Sequence, residues 1–213
     1  VYYLSLSHAS NRSKLGAAGG YKILPKALQR HGAIVAVAEW GGMASANLSL
    51  DDVIRSKLIS SGASEVITSS LYRFCDNPLV VEWCFKSLNN LSVVEGYRSK
   101  IASYVIQSGN FVLQSGTYVL QSGINVLQPG INISQPIFYD ICEAIVKALQ
   151  CHKHDSTLVE LGCQLVTVMA ENETVSLKFE SLGLCELLAE ILKIQIENES
   201  AIHRSCASVS SLA

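Results

Sequence analysis

Apolar residues recur at spacings of three and four along most of this chain, in short blocks that return in the same order. The first block carries Arg-Ser-Lys and closes on glycine, as in Lys14-Leu15-Gly16-Ala17-Ala18-Gly19-Gly20 and Lys57-Leu58-Ile59-Ser60-Ser61-Gly62. A glycine just past a helix end supplies the left-handed residue that turns the chain. The second block is an amphipathic helix, seen at Cys142–Gln150 and Cys185–Leu192. Leu24 and Leu28 belong to a helix of the same kind, with Pro25 expected in its first turn. The third block is longer, as at Leu79–Ser92 and Ser156–Ala170. The pattern predicts an all-α chain with three helices per unit and no space for a separate catalytic domain.

The units keep a fixed period. Arg-Ser-Lys begins at Arg12, Arg55 and Arg98, 43 residues apart each time. Trp40 and Trp83 share that step, and Ala46-Asn47-Leu48-Ser49 returns as Asn89-Asn90-Leu91-Ser92. A period of about 40–47 residues marks a helical solenoid, whose units cannot bury their apolar faces alone. The fourth copy comes late: Lys178 lies one period plus 35 residues beyond Lys100. The surplus is Val105–Tyr139, which reads as five consecutive sevens, VIQSGNF, VLQSGTY, VLQSGIN, VLQPGIN and ISQPIFY. Lys26-Ala27-Leu28-Gln29-Arg30-His31 and Lys147-Ala148-Leu149-Gln150-Cys151-His152 fit the same correction.

Residues 1–213 therefore read as a single array. Residues 1–10 are the tail of an upstream repeat, and repeats follow at 11–51, 52–94 and 95–172, the last interrupted by 105–139. An incomplete unit occupies 173–213. Part-units at both ends and the missing initiator methionine imply a segment of a longer array, sticky without polar caps. The sevens resist a helix, because Gly, Ser, Val and Asn recur in them and Pro129 and Pro136 break them. Short extended pieces joined by turns are expected, serving as a spacer or as a binding segment. Lengthening a loop this much costs about 2 kcal/mol of closure entropy, which an array can absorb.

Composition narrows the function. The chain is 49% apolar, 16% charged and carries a net charge of −2, which gives no footprint for nucleic acid or a membrane surface. No apolar run approaches the roughly 18 residues of a membrane span. The seven cysteines contain no Cys-x-x-Cys, and Cys142 with Cys185, like Cys163 with Cys206, repeat at the period. They read as small residues between helices, and unpaired thiols point to cytoplasm or nucleus.

The lysine and glycine of the first helix, the Lys-Ala-Leu-Gln-x-His string and the terminal Ala-x-Asn-Leu-Ser together resemble the armadillo repeat. The resemblance covers all but residues 105–139 and implies a right-handed α-solenoid of three-helix units. It further implies a concave groove lined by the third helices, where asparagines hold an extended peptide by its backbone. Asn47 and Asn90 fall on that ladder, whereas Leu4, Val168 and Ser211 stand at the other rungs. The tryptophans of the best-known peptide-binding members lie four residues before the asparagine. Met43 and Lys86 occupy those places here, and Trp40 and Trp83 lie seven before.

Seven residues are nearly two helical turns, so each tryptophan should share a face with its asparagine. Glu39, Glu82 and Glu160 recur beside the tryptophan position, with His203 in the fourth place. An acidic edge next to Trp and Asn favours a basic extended segment. The competing assignment makes both tryptophans inter-repeat core and leaves the glutamates solvated.

Catalysis finds no foothold. Cys151-His152-Lys153-His154 has a lysine where a metal site wants none, and Gly16–Gly20 lacks the spacing of a phosphate loop. No cofactor, metal or small-molecule substrate is expected. The expectation is a protein-binding scaffold whose partner site comprises Trp40, Asn47, Trp83, Asn90, Glu39, Glu82 and Lys86. The alternatives are an accessory array of a larger kinase or ubiquitin ligase, and a structural spacer.

Overall fold

A computed structural model describes residues 9–101 and 140–212. The heptads at 105–139, with the turns expected in them, and most of the tail at 1–10, including the Leu4 rung, lie outside the described residues. Among the described residues the regular elements are helices, without strands. They are α1 (Ala9–Ala17), α2 (Gly20–His31), α3 (Val35–Leu48), α4 (Asp52–Ser60), α5 (Ala63–Arg73) and α6 (Pro78–Ser92). After them come α7 (Ile141–Cys151), α8 (Ser156–Met169), α9 (Glu173–Ser181), α10 (Leu184–Ile194) and α11 (Glu199–Leu212). Residues 95–101 are helical as well.

The helix starts keep the sequence period. The pairs α1/α4, α2/α5, α3/α6, α7/α10 and α8/α11 each begin 43 residues apart, and the steps from α5 to α7 and α6 to α8 are 78. Among the described residues the first helix starts at Ala9. Helices α3, α6, α8 and α11 pack in succession, and α2, α5 and α7 form a second row beside them. The short α4 and α9 close the remaining side against α2, α5, α7 and α10. Leu58, Ile67, Phe85, Leu88, Ile145, Leu149, Leu165 and Phe179 are buried between these rows.

The recurring motifs have identifiable mechanical roles. Arg55 Nε donates to Ser49 O at 2.7 Å and Arg98 Nη1 to Ser92 O at 2.9 Å. The arginine of Arg-Ser-Lys thus occupies an orphan carbonyl at the end of the preceding long helix. The lysine reaches back to the preceding second-row helix. Lys100 Nζ binds Glu65 Oε1 at 2.8 Å, Lys178 lies 3.3 Å from Asp140 Oδ2, and Lys57 sits 5.3 Å from the centre of the Tyr21 ring. Burial pushes the Glu65 carboxyl up, but hydrogen bonds from Lys100 and Ser64 outweigh it, and the net shift is downward. The turns between first and second helices place Gly19, Gly62 and Gly183 at φ of 84°, 81° and 74°. A side chain is disfavoured there.

Pro25 departs from expectation. It lies inside α2 with a full turn of helix before it. Proline offers no N–H to the carbonyl four residues back. That carbonyl, Tyr21 O, accepts instead from Ser61 Oγ at 2.8 Å, so the neighbouring unit compensates for the missing bond.

Rows approach closely where glycine allows it. A Cβ on Gly41 would lie 2.4 Å from Leu28 Cδ2, and one on Gly162 would lie 2.6 Å from Leu149 Cδ2. Leu28 and Leu149 are the leucines of the two Lys-Ala-Leu-Gln strings, so that string supplies the knob and the glycine the hole. Gly162→Ala should cost about 1–3 kcal/mol through overpacking, and Leu149→Ala about 2–5 kcal/mol. The double variant should lose less than the sum of the two, because the shortened side chain vacates the clash. Urea unfolding midpoints measure this, and strict additivity would contradict the contact. The lowered Glu65 carboxyl stabilises the fold above its unfolded pKa and loses that contribution as pH falls through the folded value. Glu65→Gln should therefore flatten the acid limb of a Tm-against-pH curve while lowering Tm at neutral pH.

Candidate functional site

The solvent side of α3, α6, α8 and α11 repeats its residues as well as its backbone. Trp40 in α3 is 45% exposed, and its counterparts are Trp83 in α6, half-buried, and Leu161 in α8, half-buried. Beside them stand Glu39, Glu82 and Glu160, all half-buried, and His203, exposed. Leu79, one turn before Trp83 on α6, is exposed too. Gly42 lets α6 come close, since a Cβ there would lie 3.2 Å from Trp83 Cβ. Trp83 therefore has its stem against α3 and is half-buried.

Lys86 changes the electrostatics of this face. Its Nζ lies 4.4 Å from the centre of the Trp83 ring and forms an ion pair with Glu82, one helical turn earlier. Glu82 is thus neutralised locally. Among the described residues Glu39 and Glu160 form no ion pair, so they carry the negative charge on either side of it.

The two asparagines differ. Asn90 Nδ2 donates to Ala46 O at 2.9 Å and to Ser49 Oγ at 3.1 Å, tying α6 to the end of α3. Its amide donors are engaged inside the protein. Asn47 is 7% exposed, and its Nδ2 has no hydrogen-bond partner. Asn89, which sequence reasoning passed over, donates from Nδ2 to Leu161 O at 2.9 Å and so ties α6 to α8. Ser45 and Ser87 share a buried hydrogen bond of 2.7 Å between α3 and α6. Ser208 Oγ donates to Cys163 O at 2.8 Å between α8 and α11. Small polar residues near one period apart were the available signal for these seams.

The face offers aromatic contact, charge and a few polar groups, which suit binding. Among the described residues no group of His, Cys, Asp and Glu could hold a metal ion, and no helix is long and apolar enough to cross a membrane. In the Cys151-His152-Lys153-His154 string, Lys153 pairs with Glu190 at 2.6 Å and its carbonyl accepts from Gln195 Nε2 at 3.0 Å. The string fastens α7 to α10. Burial raises the thiols of Cys84, Cys142 and Cys163, which keeps them protonated and poorly nucleophilic at neutral pH.

The asparagine pair yields a contrast. Asn90→Ala removes two hydrogen bonds and should destabilise by about 1–2 kcal/mol, whereas Asn47→Ala removes a buried unsatisfied donor and should be near neutral. Chemical denaturation of both variants measures the difference, and equal losses would contradict the assigned roles. In comparisons of the chain with protein-family models and with curated proteins, no match is found.

Proposed function

We propose that the chain is a right-handed, armadillo-type α-solenoid of three-helix units, and that it works as a non-catalytic scaffold. Its partner is an extended basic peptide or a partner helix lying across the outer face of α3, α6, α8 and α11. The observation that carries this reading is the matched placement of Trp40 and Trp83 on adjacent packed helices, each beside a glutamate. An aromatic ring that is 45% exposed is a poor core residue and a good anchor. Neighbouring helices sit about 8–10 Å apart, which is roughly three residues of an extended chain, so a single peptide can address consecutive rungs. Free thiols at all seven cysteines support a cytoplasmic or nuclear setting.

A structural spacer is the second reading, and it draws on the internal engagement of Asn90 and Lys86. The two readings part in one experiment. Trp40 and Trp83 are the chain's only tryptophans, so intrinsic fluorescence reports on this face alone. Titration with a library of Lys/Arg-rich peptides should find binders that shift the emission and weaken with salt. Trp40→Ala should lower their affinity at least tenfold, as expected of an anchor, and Glu39→Lys with Glu160→Lys should weaken basic peptides selectively. A library without a binder sensitive to Trp40→Ala would leave the spacer.

A further inference from the structure

We propose that Cys75 and Cys151 form a redox-responsive thiol pair that closes to an intramolecular disulfide by exchange with a low-molecular-weight disulfide. Cys75 lies two residues past the end of α5 and Cys151 is the last residue of α7, helices that pack together, with the Sγ atoms 3.9 Å apart. Both are free thiols. Cys151 is exposed and Cys75 is buried, so a reagent from solvent meets Cys151 first. Cys75 is then already beside the sulfur it must attack. Among the described residues no other two thiols are in contact in this way.

The step balances without a metal or cofactor. The Cys151 thiolate attacks one sulfur of oxidised glutathione, forming a mixed disulfide and expelling one glutathione thiolate. The Cys75 thiolate then attacks Cys151 Sγ, and the second glutathione leaves as thiolate. The protein loses two electrons and two protons, and one glutathione disulfide becomes two thiols. Burial first, and then the neighbouring Cys75, holds the Cys151 thiol above its ordinary range, with Asp76 acting in the same sense and Lys147 against it. Exchange is therefore slow at neutral pH and should be run under mildly alkaline conditions. The bond would join α5 and α7 across a separation of 76 residues, a long closed loop that constrains the unfolded chain strongly. It rests on geometry independent of the peptide-binding reading.

The test is incubation of the whole chain with oxidised glutathione at pH 8.5, followed by mass analysis and tryptic mapping. The expected product is about 2 Da lighter than the reduced chain, with peptide 74–86 joined to 148–153 through Cys75 and Cys151. Its Tm should rise by on the order of 10 °C and return on reduction. Cys75→Ser or Cys75→Ala, checked for helicity by circular dichroism, should stall at a glutathione adduct on Cys151, about 305 Da heavier. Cys151→Ser should leave Cys75 unmodified. A wild-type chain that keeps its adduct on Cys151 without closing overturns the proposal. So does a cross-link that uses Cys84, Cys185 or Cys206 instead.

Discussion

The long helices α3, α6, α8 and α11 stand side by side, and small residues set their approach at several points. Gly42 of α3 admits the stem of Trp83 of α6, Gly162 of α8 lies close to Phe85 of α6, and Ser45 faces Ser87 across a single buried hydrogen bond. Packing at that distance leaves little tolerance, since interiors are as dense as organic crystals. It also brings polar groups together that would otherwise be stranded. Asn89, Asn90, Thr167 and Ser208 bond to carbonyls or hydroxyls on their own or the adjoining helix at each junction. Every other feature of the outer face, including the spacing of its aromatic side chains, inherits this distance.

The same economy appears at the helix ends. Long helices terminate in carbonyls without intrahelical partners, and the arginine of the next unit reaches back to one of them. Starts are capped in the same register, by Asn77, Asp155 and Asn198 for α6, α8 and α11. Where α2 loses a hydrogen bond to Pro25, a serine from the following unit restores it. Local defects are thus repaired by neighbours, which couples the stability of one unit to the next. The proposed disulfide would act at one such junction, between α5 and α7.

The outer face combines two kinds of residue with different freedom. Trp40 is 45% exposed, whereas Asn90 is held by hydrogen bonds to the end of α3 and Lys86 by Glu82 and the Trp83 ring. A binding surface built this way relies on aromatic contact and on the charge of Glu39 and Glu160 more than on a ladder of side-chain amides. That is a shift from the arrangement the motif spacing suggested.

Helical class, unit length and the 35-residue surplus were legible in the chain, because periodicity in apolar positions is a local property that every unit states again. The left-handed turns at Gly19 and Gly62 were legible for the same reason: a backbone angle that penalises side chains leaves a residue-type trace. The partners of Asn90, Asn89, Ser61 and Lys100 were not. Each is fixed by which side chains the packing of adjacent helices happens to bring within 3 Å or so of one another, and spacing along the chain does not encode that. The nearness of Cys75 to Cys151 is of this kind too, since it arises where two helix ends meet across the interrupted unit. The sequence by itself determined that these segments are helical, because apolar spacing is local; only the tertiary structure decided which polar groups are engaged inside and which stay exposed, because that depends on which helices meet.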